Sequence, residues 1–169
     1  MENVLDSYAL DYNPVIPLVC IDEKPYQLLS DAFDSLPAKP GKVKKEDYEY
    51  KREGTCNFFV VFEPLTQKRE LKVSERRTAL DFANFMKDIS EMYPLAKKIK
   101  VVLDNLNTHN PGSFYQAFEP EYARYLTERF EFIYTPTHGS WLNMAEIEFS
   151  ALERQCVRKR IPTILEAQR

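Results

Sequence analysis

Three acidic residues occupy positions where a metal-dependent reaction could be carried out. Asp22 closes the apolar run VIPLVCID (15–22), and Asp104 closes KIKVVLD (98–104). Glu146 stands in the first turn of a helical stretch that opens WLNMAE (141–146). Carboxylates are hard oxygen donors, and three of them in an open cleft suit Mg²⁺ or Mn²⁺, not zinc. Two such ions about 4 Å apart can clamp a phosphodiester, one activating the attacking oxygen and the other stabilising the leaving oxygen. Carboxylates are needed there because clustered negative charge must offset two dications.

Each acid also has a plainer role open to it. An aspartate at a strand end commonly caps a turn through its own side chain. Asp22 is followed by Glu23 and Lys24, which allows a surface ion pair. Asn143 and Glu146 have the spacing of a capping box, Asn143 as N-cap and Glu146 at the third helical position. Glu148 is a rival acid, but two residues along a helix turn by about 200°, so both cannot face one site. Glu148 is read as solvated.

Other polar groups gather around these acids. Asn105 and His109 follow Asp104 in DNLNTH, and His138 precedes Gly139 in THGS, where glycine allows a close backbone approach. Either histidine can contact a phosphate or cap its loop. Trp141 is read as a core anchor in preference to a base-stacking platform. Lys42, Lys44 and Lys45 crowd a charged stretch that is either a solvated hairpin or a phosphate-contacting arm. Arg154 and Arg158 end the last long helix, where cations also complement the helix dipole.

These groups must be positioned by secondary structure. Residues 1–14 read as an extended lead-in. Strands are expected at 15–22, 56–64, 68–75, 98–104 and 130–136 from short β-branched and aromatic runs. PLTQ makes a hairpin of the second and third. Residues 36–54 hold two prolines, two glycines and many charges, which predicts a loop or projecting hairpin (39–54 as an insertion). Helical spacing marks 76–93, with Pro94 as its stop, then about 112–128 with a possible break at Pro120, then 141–159. Strands first, then strands alternating with helices, predict an α/β fold: a mixed five-stranded sheet with helices on both faces.

Composition narrows the function classes. The 169 residues are 44% hydrophobic and 29% charged, enough for one domain with a core and unlike a disordered chain. A net charge of −3 means that any nucleic-acid contact must come from a local patch. Cys20, Cys56 and Cys156 are far apart and form no CxxC, which argues against a disulfide framework or zinc site and fits a reducing compartment. No apolar run approaches the roughly 20 residues that span a bilayer, so no membrane partner is expected.

Four blocks carry a family resemblance: VCIDEKPYQL (19–28), FFVVFEPLTQKRELKVSERRTALDFANFM (58–86), VVLDNLNTHNPGSFYQAF (101–118) and FIYTPTHGSWLNMAEIEFSALERQC (132–156). Together they resemble the catalytic domain of bacterial insertion-sequence transposases in the mariner superfamily, over roughly 15–165. The resemblance implies an RNase H-like fold with a DDE triad: Asp22 in CIDEKPY, Asp104 in DNLNTH and Glu146 in LNMAE. It therefore favours Glu146 over Glu148. It also implies two Mg²⁺ or Mn²⁺ ions, phosphodiester hydrolysis at a transposon end, and attack of the freed 3′-hydroxyl on target DNA. Expected partners are transposon-end and target DNA and a second copy of the chain in a homodimer, in a bacterial, nucleoid-associated cytoplasmic setting.

Relatives usually carry an N-terminal helix-turn-helix domain, which residues 1–14 do not resemble. A separately encoded DNA-binding domain is the matching expectation. Two other readings stay open: an RNase H-like or junction nuclease, and a catalytically idle DNA-binding or oligomerising fragment.

Overall fold

The computed structural model describes residues 1–33, 39–42, 48–157 and 159–169. Five strands form one mixed sheet: β1 (Leu18–Asp31), β2 (Tyr50–Glu63), β3 (Lys68–Ser74), β4 (Ile99–Leu103) and β5 (Phe130–Tyr134), in the order β3-β2-β1-β4-β5. β1, β2 and β3 are antiparallel neighbours, whereas β4 lies parallel to β1 and β5 parallel to β4.

Strand alternation sorts β1 between two cores. Val19 and Ile21 point to one face, where Phe59, Val61, Phe82, Phe85, Met86, Phe114 and Leu126 close over them. This face is covered by α2 (Ala79–Met92), α3 (Gly112–Ala117) and α4 (Pro120–Arg129). Leu18 and Cys20 point to the other face, against Val4, Val102, Leu142, Ala145 and Phe149. That face is covered by α1 (Glu2–Tyr8) and α5 (Ala145–Gln155), with the short α6 (Ile164–Ala167) at its margin. β4 is buried on both faces, as a central parallel strand between helices must be.

The helix signals act as their chemistry requires. Thr78 caps α2 in a reciprocal capping box with Asp81. Pro120 divides the 112–128 stretch, ending one helix before it and taking the first position of the next. No helix among the described residues is long and apolar enough to cross a membrane.

Three expectations are corrected. Residues 2–8 are not an extended lead-in but the helix α1, whose Val4 is buried in the second core. Asp22 does not end its strand: β1 continues to Asp31, pairing with β2 in a long antiparallel hairpin. The helix expected at 141–159 begins later, since Ser140–Leu142 form a 3₁₀ turn and α5 starts at Ala145.

Candidate active site

Asp22 lies where the parallel part of the sheet gives out. β1 pairs with β4 only through Cys20↔Val102, and β4 ends at Leu103, so Asp104 leaves the sheet beside Asp22. β5 ends level with β4, Leu103 facing Tyr134, and the loop that follows it leads through the 3₁₀ turn into α5. The acids from three distant sequence blocks thus reach one edge because two parallel strands stop together. This is the edge at which open α/β sheets bind ligands.

The electrostatics reflect that proximity. The Asp22 carboxyl is pushed up to about 6, first by burial and further by the charges of Asp104 and Glu146. The backbone N–H of Glu23, donating to Asp22 Oδ1 at 2.8 Å, and the charge of His109 oppose the rise. Among the described residues, no group of three or more His, Cys, Asp or Glu side chains is arranged so that it could hold a metal ion. Asp104 is engaged elsewhere: His109 Nδ1 donates to its Oδ1 at 2.5 Å.

His109 is the best-held group at this edge. It is 3% exposed, stacks on Phe82 with ring centroids 4.7 Å apart, and its backbone carbonyl accepts from the Tyr134 hydroxyl at 2.8 Å. Its Nε2 lies 3.6 Å from Glu23 Oε2. Burial alone would lower its pKa, but the hydrogen bonds and charges of Asp104 and Glu23 outweigh this and raise it to about 9. The ring is therefore an imidazolium between two carboxylates near neutral pH.

Asn143 is only 2% exposed, and it does not form the capping box its spacing suggests. Its side-chain amide donates to the Ile21 carbonyl at 2.7 Å, and its Oδ1 accepts from the Ala145 N–H at 3.1 Å. Glu146 is half-buried one residue further on. Glu148 is not solvated: its side chain is 13% exposed and pairs with Arg69 at 2.8 Å.

The remaining candidates divide. Asn105 and His138 are exposed, and His138 has a left-handed φ of 61°. Gly139 does admit a close approach, but of its own turn: a Cβ there would lie 2.5 Å from Pro136 Cγ. Trp141 is not a core anchor, since 68% of it is exposed. Lys42 is exposed in an isolated bridge with Lys39, and Arg154 Nε donates to the Ser150 carbonyl within α5. Lys44, Lys45 and Arg158 lie outside the described residues.

Two groups escaped the sequence reading. Glu23 enters the sequence reading only as a neighbour that allows Asp22 a surface ion pair, yet its side chain is 4% exposed and faces His109, with Arg77 at 3.8 Å. A longer β1 would have revealed it, because alternation puts Glu23 on the Ile21 face. Tyr8 was hidden in the supposed lead-in, although its spacing of four from Val4 is a helical signal. Its hydroxyl donates to the Leu142 carbonyl at 2.7 Å and lies 3.3 Å from Cys20 Sγ. Burial raises both the Tyr8 hydroxyl and the Cys20 thiol, the latter to about 11.

A mixed sheet in this strand order with helices on both faces defines an RNase H-like fold. Residues 17–167 match the family described as DDE superfamily endonuclease, and the chain belongs to that family. Among solved structures it is similar to the Mos1 mariner paired-end complex with Mn, with a TM-score of 0.60 and 16% identity over 99% of this chain and 50% of that one. It is also similar to the Mos1 transposase paired-end complex with the left transposon end, with a TM-score of 0.58 and 13% identity over 91% of this chain and 46% of that one. The chain spans about half the length of these solved chains. No curated protein sequence matches it.

Proposed function

We propose that this chain is the catalytic domain of a DNA transposase, cleaving a phosphodiester at an element end and joining the freed 3′-hydroxyl to target DNA. The observation that carries the reading is that Asp104 and Glu146 both lie within electrostatic reach of the largely buried Asp22 at one sheet edge, in a chain whose residues 17–167 match the DDE superfamily endonuclease family. Burial and two neighbouring acids, Asp104 and Glu146, make ionisation costly at one sheet edge, a cost that bound cations would offset.

The donor set fits hard divalent ions such as Mg²⁺ or Mn²⁺. Asp22, Asp104 and Glu146 would hold them, two ions being the stoichiometry proposed. When bound, such ions supply Lewis-acid activation of water or hydroxyl and stabilise the leaving oxygen.

The chain's own residues prepare that edge. His109 turns Asp104 by holding Oδ1, which leaves Oδ2 outside the bond. Glu23, on the far side of the imidazolium, keeps that ring charged and oriented. Trp141 and His138, both exposed and preceding Glu146 in the chain, are proposed DNA contacts, with Asn105 beside Asp104. Lys42 and its charged neighbours Lys44 and Lys45, with Arg154 and Arg158, are the proposed phosphate contacts. A homodimer on paired ends, with a DNA-binding domain before or beside this one, completes the proposed assembly.

The test is Mn²⁺ titration into the wild type and Asp104→Asn, followed by incubation with supercoiled DNA, an RNA–DNA hybrid and a four-way junction. Binding by the wild type alone, with cleavage of the DNA duplex, supports the reading. Equal binding by both proteins rejects the site. Preference for the hybrid or the junction moves the assignment to a nuclease of RNase H or junction type.

A further inference from the structure

Two hydrogen-bonded struts connect the Asp22 strand to the beginning of the Glu146 helix. The first is Asn143, whose amide donates to the carbonyl of Ile21, the residue immediately before Asp22. The second is Tyr8, on α1. Its hydroxyl donates to the Leu142 carbonyl, accepts from the Met144 N–H at 3.4 Å, and touches Cys20 two residues before Asp22. The segment 142–145 is thus gripped from both sides by groups anchored around one short stretch of β1.

The chemistry of these groups is costly unless it serves geometry. Asn143 is 2% exposed, and a buried amide destabilises unless its bonds are made. Here both ends of the amide are used. α5 begins at Ala145, and its N-cap residue Met144 makes no side-chain cap, so the struts do what a cap would not: they tie the helix start to a particular place on the sheet. A ligand carboxylate needs its position held to roughly 0.5 Å for productive geometry. Glu146 directly follows the pinned segment, whereas Glu148 is held independently by Arg69.

We infer that Tyr8 and Asn143 are positioning residues that set Glu146 against Asp22, making the N-terminal helix part of the frame of the acidic edge. The inference rests on the three-acid reading above. It predicts that α1 controls metal binding without offering a ligand. Val4 seats this helix in the core, and Ser7 Oγ donates to the Asn3 carbonyl at 2.7 Å within it. Tyr8 is thereby presented from a rigid support.

Tyr8→Phe removes one hydroxyl and keeps the ring, and Asn143→Asp keeps the shape but loses the donor to Ile21. Three quantities are measured on the full chain: Mn²⁺ affinity by calorimetry, Tm, and hydrogen exchange at the amides of Met144–Ile147. Each variant is expected to weaken Mn²⁺ binding about tenfold, as loss of groups supporting a ligand does. Exchange should quicken at Ala145 and Glu146. A variant with lowered Tm but wild-type Mn²⁺ affinity overturns the inference, because the struts would then serve stability alone.

Glu146→Gln separates the two levels of the argument. If it binds Mn²⁺ like the wild type, the three-acid reading fails. If it loses affinity while Tyr8→Phe does not, only the strut role fails. Should Asn143→Asp not fold, Tyr8→Phe decides the matter alone.

Discussion

His109 Nδ1 lies 2.5 Å from Asp104 Oδ1, and the opposite ring nitrogen faces Glu23 Oε2 at 3.6 Å. One buried cation therefore links the carboxylate after β4 to a carboxylate on β1. Removing it by His109→Ala leaves Glu23 buried with, among the described residues, only Arg77 at 3.8 Å as a cationic partner. A buried carboxylate without its cation is strongly destabilising, and the change should cost about 2–3 kcal/mol in urea unfolding. Adding Glu23→Gln to that variant should return part of the loss. A double variant no more stable than His109→Ala would show that Glu23 does not depend on the imidazolium.

The raised Asp22 carboxyl predicts a pH dependence of stability in EDTA. Its folded value, about 6, exceeds the ordinary 3.8, so between these values the folded chain holds more protons than the unfolded one. Stability should therefore fall as pH rises from about 4 to about 6, by at most about 2–3 kcal/mol from this group. Asp22→Asn should remove that decline. Parallel pH profiles for the two proteins would contradict the placement of Asp22 among interacting acids.

Glu146 and Glu148 should separate cleanly. Glu146→Gln is expected to lower DNA cleavage in Mn²⁺ by at least about 100-fold, the scale on which a group acting at the transition state is lost. Glu148→Gln should leave cleavage intact and cost roughly 0.5–1 kcal/mol, because its partner Arg69 is more than half exposed. Quantitative plasmid nicking and chemical denaturation check the two arms. The reverse pattern would move the third acid to Glu148.

Trp141 is the chain's single tryptophan, so intrinsic fluorescence reports on it alone. Its 68% exposure predicts red-shifted emission in the free protein. Adding DNA should quench that emission through base stacking, and raising the salt should reverse the effect. Unchanged emission at DNA concentrations that saturate binding by another measure would remove Trp141 from the interface.

Much of the architecture was legible without coordinates. The apolar runs at Val101–Leu103 and Phe58–Phe62 and the helical spacing of Phe82, Phe85, Met86 and Ile89 depend on local periodicity, and each became the element expected. The choice of Asp104 rested on a carboxylate directly after a buried strand, which is also a local pattern. Glu146 was separated from Glu148 by a resemblance, because both acids follow the same helix start. The extent of β1 was misread because Glu23, Lys24 and Pro25 are poor strand formers, and pairing with β2 overrides such propensities.

The sequence by itself determined which residue types could bind a divalent ion, the order of the five strands, and the periodicities that make the two cores. Only the tertiary structure decided that Glu23 faces His109, that Trp141 is outside the core, and that Tyr8 reaches the turn before Glu146. The physical reason is separation along the chain: Tyr8 and Leu142 are 134 residues apart. Patterns of burial within one element can be read from its neighbours in sequence, but the partner of a polar side chain is set by which surfaces the sheet and its helices bring together.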